Sequence, residues 1–143
     1  MLYGLEAGKY RLALKTPKDQ IINVEYTRDK SKKKAAYKKS KAINLKSDID
    51  SIYTSTEKAA RWYKASVSST KKRKAVTLSK DSVGGGFKFC VYQKGKRLKT
   101  VKVTKNDKVK TVKLPKKKGA YYVKVTKLTS KTTGAYYLGT YTY

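Results

Sequence analysis

Apolar and polar residues alternate with a period of two along most of this chain, and the spacing of amphipathic helices is hard to find over any long window. Successive side chains of a β-strand point to opposite faces, so this alternation gives strands with one buried and one exposed face. Tyr121, Val123 and Val125 share one face of such a strand, and residues 8 to 14 alternate in the same way. The pattern predicts an all-β fold.

Turn-forming residues divide the rest of the chain into further strands. Strands are predicted at residues 61 to 68, 73 to 79, 86 to 92, 97 to 104, 108 to 114 and 135 to 142. Residues 42 to 60 are expected to hold a short strand at 42 to 45 and a loop or helical turn near 56 to 60.

Two turns shape the expected order of the later strands. Gln93-Lys-Gly-Lys96 contains a glycine suited to a tight hairpin, and Lys105-Asn-Asp-Lys108 has side chains that stabilise turns. They predict consecutive antiparallel strands from Phe87 to Leu114. In the last of these strands the apolar residues change face, so a β-bulge is expected near Thr111.

Positive charge is the most pronounced feature of the composition. The 143 residues include 37 Lys and Arg against 9 Asp and Glu, a formal net charge of +28, which exceeds what a small domain needs for solubility. Only five of these cations are arginine. Lysine acts as a diffuse point charge and suits phosphate-rich or carboxylate-rich polymers, whereas proteins that read base sequence favour arginine. The alternative interpretation is that the lysines are simply the solvated faces of strands.

Several catalytic chemistries are excluded by residue type. The chain has no His and a single Cys, Cys90, so it cannot assemble a His/Cys zinc site, a Ser-His-Asp triad or a Cys-His dyad. Asp48 and Asp50 are the only close pair of carboxylates, and nothing near them in the sequence completes a mechanism. We therefore expect a protein that is not an enzyme, with no catalytic residues, no metal site and no cofactor.

The expected domain organisation has three parts. Residues 28 to 41 are lysine-rich and lack periodicity, which indicates a linker, and 42 to 143 form the main β domain. Residues 1 to 27 resemble the end of that domain, since Gly8-Lys-Tyr-Arg-Leu matches Gly119-Ala-Tyr-Tyr-Val. They are interpreted as the closing hairpin of a preceding similar repeat, or as added strands of the main domain. The alternative is that this motif is common to unrelated hairpins.

Three segments in order resemble the bacterial pre-peptidase C-terminal (PPC) domain: Trp62-Tyr-Lys-Ala-Ser-Val67, Phe87-Lys-Phe-Cys-Val-Tyr92 and Gly119-Ala-Tyr-Tyr-Val-Lys-Val125. The resemblance covers residues 40 to 143. It implies an antiparallel, jelly-roll-like β-sandwich and a role as an accessory module of a secreted or surface protein, located outside the cell. Some members bind calcium through clustered acidic residues, but the few acidic residues here do not support carrying that over.

Three functions are compatible with these features. The first is an extracellular β-sandwich module that binds an anionic cell-wall polymer or glycan through diffuse lysine electrostatics and shallow aromatic contacts. The second is a nucleic-acid-binding protein without sequence preference, and the third is a structural spacer without a dedicated ligand. The candidate ligand-binding residues are Lys102, Lys110, Lys113, Tyr122 and Lys124.

Further expectations concern single residues and partners. Tyr121 is expected to face the core and Tyr122 the surface, while Cys90 and Trp62 are interpreted as packed residues. The opening residues lack a signal peptide, which indicates a fragment of a longer precursor with neighbouring domains. No apolar run is long enough for membrane insertion. Self-association is expected, if at all, through the N-terminal strands.

Overall fold

The computed structural model describes residues 9, 11, 13, 15, 35–45, 49–53, 58–80 and 85–143, and of 49–53 it describes the backbone path. Apart from residues 9, 11, 13 and 15, the segment 1 to 27, with its predicted strand at 8 to 14 and its closing hairpin, lies outside this description, and so does the first half of the 28 to 41 linker. The last part of that linker is described, and Ala36 in it is buried. The carbonyl oxygen of Ala36 accepts a 2.8 Å hydrogen bond from the backbone N–H of Trp62.

The described chain is built almost entirely from β-strands, after one short 3-10 helix, Lys39–Lys41. The strands are β1 Ile43–Asn44, β2 Ile49–Tyr53, β3 Arg61–Val67, β4 Lys74–Lys80, β5 Phe87–Gln93, β6 Lys96–Val103, β7 Val109–Lys113, β8 Gly119–Lys127 and β9 Gly134–Thr142. Each predicted strand from residue 61 onward is present within a few residues of its expected bounds.

The strands form two sheets that pack face to face. One sheet has the order β1-β3-β8-β5-β6 and the other β2-β9-β4-β7, and every pairing is antiparallel except that of β1 with β3. Consecutive strands are repeatedly placed in different sheets, so the two layers are tied together by the chain itself. This architecture confirms the predicted antiparallel β-sandwich.

The core between the sheets is made by the alternate residues that the sequence pattern assigns to buried faces. Tyr121, Val123 and Val125 are fully buried, as predicted. Tyrosines contribute much of the core volume, and the hydroxyl groups of Tyr63 and Tyr136 hydrogen-bond to each other across the two sheets. Burying a phenol requires a partner for its hydroxyl, and pairing two tyrosines across the core provides one for both.

Strand β2 was missed by the sequence analysis, which predicted within residues 42 to 60 only a short strand at 42 to 45 and a loop or helical turn near 56 to 60. It pairs in antiparallel register with β9, from Ile49 opposite Leu138 to Tyr53 opposite Gly134. Its sequence, Ile-Asp-Ser-Ile-Tyr, contains two polar residues that depress strand propensity. Pairing with the nine-residue strand β9 overrides that weak local signal.

The expected bulge near Thr111 is wrong. Strand β7 pairs with β4 in unbroken register, from Val109 opposite Ser79 to Lys113 opposite Ala75. Val109 is 50% exposed on this edge strand, so the change of apolar face needs no extra residue. A register shift occurs instead in the pairing of β5 with β6, where Leu98 lies between the paired positions.

The two predicted turns have different outcomes. Lys94 and Gly95 form a two-residue hairpin with φ of 47° and 80°, typical of a type I′ turn, so the first prediction is confirmed. The second turn does not return the chain along the same sheet. It leads from β6 in one sheet to β7 in the other, so the inference of consecutive paired strands from Phe87 to Leu114 is wrong at this step.

Asp107 stabilises that second turn. Its carboxylate accepts hydrogen bonds from the Thr104 backbone N–H at 2.9 Å and the Thr104 hydroxyl at 2.7 Å, and Lys110 Nζ lies 2.7 Å from the other oxygen. The contact with Lys110, followed by those with Thr104, holds the pKa of Asp107 well below its ordinary value. The folded turn therefore favours the charged carboxylate.

The Asp107 contacts should make the stability of the domain depend on pH. Because its pKa is depressed in the folded state, the stabilisation is complete above about pH 4 and declines as the pH falls towards the folded-state pKa. We expect wild type to exceed Asp107→Asn in its urea unfolding midpoint at about pH 7, and the difference to shrink at about pH 2. A difference that stays constant over this range would contradict the assignment.

Candidate functional site

The outer face of the five-stranded sheet carries a concentration of positive charge. Tyr63 and Ala65 point into the core, so their neighbours Trp62 and Lys64 point outward, and the same alternation holds on β5 and β8. The outward-facing cations of this sheet, here called the cationic face, are Lys64, Lys88, Arg97, Lys102 and Lys124. They come from four adjacent strands, and no acidic residue is among the described residues that face outward with them.

Strand register sets the spacing of these cations. Lys88 on β5 lies directly opposite Lys102 on β6. On the same face, Lys124 on β8 lies directly opposite Trp62 on β3. Like charges directly opposite on paired strands repel each other and are destabilising. A bound anion would relieve that repulsion, which makes the arrangement suited to a negatively charged partner.

Three aromatic side chains lie among the cations. Trp62 and Tyr92 have ring centroids 5.6 Å apart at 44°, although strand β8 separates the strands that carry them. Tyr122 lies on β8, in register with both Lys64 and Tyr92. This aromatic cluster of Trp62, Tyr92 and Tyr122 gives the face flat apolar surfaces between its charges.

Cations and rings are in direct contact at two places. Lys39 Nζ lies 4.7 Å from the centroid of the Tyr122 ring, and Lys124 Nζ lies 5.5 Å from that of Trp62. Both distances are within the range of cation–π attraction, about 6 Å. The 3-10 helix therefore adds a further lysine, Lys39, to the border of the cationic face.

The Tyr92 phenol stays uncharged at neutral pH. Burial raises its pKa above the ordinary value, interactions with Cys90 raise it further, and the charge of Arg97 opposes the shift. Cys90 itself is buried, with its sulfur 3.4 Å from the Thr100 hydroxyl, as expected for a packed residue. Tyr92 thus adds no negative charge to the face.

The structure distributes the five predicted ligand-binding residues over separate places. Lys102, Tyr122 and Lys124 lie together on the cationic face. Lys113 is on the other sheet, with its Nζ 5.4 Å from the centroid of the Tyr143 ring, and Lys110 is on the same strand in contact with Asp107. Ligand binding by all five stays a prediction, and only the first three form part of one surface.

Sequence reasoning missed several residues of this face, because strand order is what brings them together. Lys64, Lys88 and Tyr92 each lie at an outward-facing position of a correctly predicted strand, so alternation identifies them as outward-facing, and all three are half-buried. Trp62 was interpreted as a packed residue, and it lies on the outer sheet face against Tyr92 and Lys124. Only the pairing of β3 and β5 with β8 brings these side chains together.

The described residues offer little for other kinds of site. Among them, no group of three or more His, Cys, Asp or Glu side chains is placed to hold a metal ion. Every buried polar side chain in the described ranges has a hydrogen-bond partner. No helix in this part of the chain has the length and apolar character to cross a bilayer.

A solved structure with the same fold is the pre-peptidase C-terminal domain of a collagenase from Bacillus anthracis. The two superimpose with a TM-score of 0.53 and 16% sequence identity, over 79% of this chain and 100% of that domain. The resemblance indicated by the three sequence motifs is thereby confirmed at the level of the fold. No family model matches the chain, and no curated protein matches it in sequence.

Proposed function

We propose that this chain is a non-catalytic, extracellular β-sandwich module of a bacterial surface or secreted protein, and that it binds an anionic cell-wall polymer. The observation that carries the proposal is the cationic face, with five cations on four adjacent strands and no described acidic residue facing outward among them. The PPC fold of the collagenase domain supports an accessory role. Any catalytic activity would then belong to another domain of the parent protein.

In the proposed mechanism, the cationic face attracts the polymer electrostatically, and the polymer then makes shallow contacts with the aromatic cluster. A polymer with a charge on each repeat unit meets several lysines at once, and binding releases its counterions. The aromatic cluster would lie beneath the polymer chain and contact its less polar parts. Flexible lysines impose little geometry, so the module should tolerate different anionic polymers, including phosphate-rich teichoic acids and acidic glycans.

A second function is favoured by one specific observation, the aromatic cluster within the cationic face. Proteins that bind single-stranded nucleic acids without sequence preference combine a positive surface with rings on which bases stack. Trp62, Tyr92 and Tyr122 have that arrangement. The predominance of lysine over arginine and the PPC fold favour the wall polymer instead. A spacer without a ligand is the third function to be tested.

One binding experiment separates these three functions. Binding to purified Gram-positive cell walls is measured before and after extraction of teichoic acids, over about 0.05 to about 0.5 M salt, with single-stranded DNA as competitor. We expect saturable binding that falls steeply with salt, is lost on extraction and is poorly displaced by DNA. Efficient displacement by DNA with a defined site size would support the second function instead. Absence of saturable binding at about 0.15 M salt would support the third function, a structural spacer without a dedicated ligand.

A further inference from the structure

The outer face of the four-stranded sheet has a different chemistry from the cationic face. Its outward-facing described residues are largely uncharged: Ala75, Thr77, Ser79, Val109, Thr111, Lys113, Tyr137, Gly139 and Tyr141. Lys113 is the one cation among them, although the whole chain has a net charge of +28. Over its described side chains, the four-stranded sheet therefore presents a nearly neutral outer face, on the opposite side of the sandwich from the cationic face.

A shallow groove of about 200 Å³ runs across this neutral face. It is lined by Thr77, Ser79, Tyr137, Gly139, Thr140 and Tyr141. Tyr137 and Tyr141 are four residues apart on β9, so they share a face and their Cα atoms are about 13 Å apart. Gly139 lies midway between them, which leaves the strand without a side chain at that position.

The residues beside these tyrosines are small. In register, Ser79 lies opposite Tyr137 and Ala75 lies opposite Tyr141. The two rings consequently stand above their neighbours, and 43% of Tyr137 and 46% of Tyr141 are exposed. Tyr141 is also held from the side, because its ring centroid is 5.7 Å from that of Tyr143.

Hydroxyl groups lie between and beside the rings. The Thr77 and Thr111 hydroxyl oxygens are 3.0 Å apart, and Ser79 adds a further hydroxyl to the groove region. A hydroxyl both donates and accepts hydrogen bonds, so the surface can match a ligand that is itself rich in hydroxyls. It has little charge with which to attract an ion.

We infer that the groove between Tyr137 and Tyr141 is a binding site for an uncharged glycan. A sugar ring has an apolar C–H face that packs on an aromatic ring and a rim of hydroxyl groups that hydrogen-bond, and the groove provides both partners. Its near neutrality matches an uncharged ligand. The site goes beyond the anionic-polymer function, because it uses the opposite sheet and a different kind of attraction.

The experiment is an NMR titration of the full chain with chitohexaose and, separately, cellohexaose. We expect saturable amide shifts centred on Tyr137, Gly139 and Tyr141, with little change between about 0.05 and about 0.5 M salt. The single tryptophan, Trp62, lies on the cationic face, so its emission should not respond to either sugar. An anionic polymer bound at the cationic face should alter that emission, so the two proposals succeed or fail separately.

Variants identify the side chains responsible. Tyr141→Ala should weaken sugar binding by about tenfold or more, as expected for removal of a stacking ring, whereas Tyr141→Phe should retain it. Tyr37→Ala is the matched control, since Tyr37 is 52% exposed and does not line the groove, and it should bind as wild type does. The inference is overturned if neither sugar gives saturable shifts at β9, or if Tyr141→Ala binds with unchanged affinity.

Discussion

Replacing Lys64, Lys88 and Lys124 together with glutamate is expected to weaken binding to anionic cell walls by about a hundredfold or more in about 0.15 M salt. A cation close to an anionic surface contributes about 1 kcal/mol, so losing three removes about 3 kcal/mol, and the new negative charges add repulsion. All three side chains lie on the cationic face. Affinity is measured by co-sedimentation with purified walls.

The salt dependence gives an independent measure of the same interactions. For polyphosphate ligands, log affinity falls linearly with log salt, and the steepness of this dependence decreases by about 0.7 to 0.9 for each phosphate that a lysine no longer neutralises. The triple variant should therefore have a slope shallower by about 2 to 3. The substitutions are on the outer sheet face, away from the core, so the variant should remain folded. Its urea unfolding midpoint checks this.

A matched control separates the cationic face from the net charge. Lys116, Lys117 and Lys118 are exposed in the loop between β7 and β8, and their replacement with glutamate changes the net charge by the same amount. We expect this control to lose much less affinity. Equal losses in the two triple variants would mean that total charge, and not this face, governs binding.

The sequence was informative about strands and faces because both depend on local pattern. Alternation correctly assigned Tyr121 to the core, and it identifies Lys64 and Lys88 as outward-facing once their strands are located. The Lys94-Gly95 hairpin was equally predictable, because a type I′ turn requires positive φ at adjacent positions. These features depend on few residues that are close in sequence.

The order of the strands in the sheets could not be predicted from local alternation and turn residues. The contact between Trp62 and Tyr92 exists because their strands, β3 and β5, both pair with β8, a relation between segments far apart in the chain. The turn at 105–108 has the same residue types whether it returns to its own sheet or crosses to the other. For that reason the candidate site was only partly predictable, and lysines on two different sheets were grouped together.

Substituting Gly86 with alanine is expected to destabilise the domain by about 3 kcal/mol or more, a large part of the stability of a domain this size. Gly86 is buried just before β5, and a Cβ atom there would lie 2.2 Å from the carbonyl oxygen of Val103 and 2.7 Å from Leu128 Cδ1. The first of these neighbours is backbone, so a side-chain rotation cannot relieve the clash.

The expected loss of stability arises from the contacts that Gly86 makes with the two neighbouring strands. Its carbonyl oxygen accepts a 2.9 Å hydrogen bond from the backbone N–H of Leu128, just after β8, while Val103 ends β6 on the other side. Moving Gly86 to make room for a methyl group would disturb the pairing of β5 with both neighbours. Gly86 therefore lies at a close-packed junction of three strands.

Urea unfolding followed by far-UV circular dichroism measures the effect, and Gly95→Asn is the control. A Cβ at Gly95 meets no other atom within 4 Å, and asparagine tolerates its positive φ, so this variant should remain within about 1 kcal/mol of wild type. If Gly86→Ala unfolded at the wild-type midpoint, the close approach of Gly86 to Val103 would be contradicted. Since β5 and β6 carry Lys88, Tyr92 and Lys102, loss of this junction should also disrupt the cationic face.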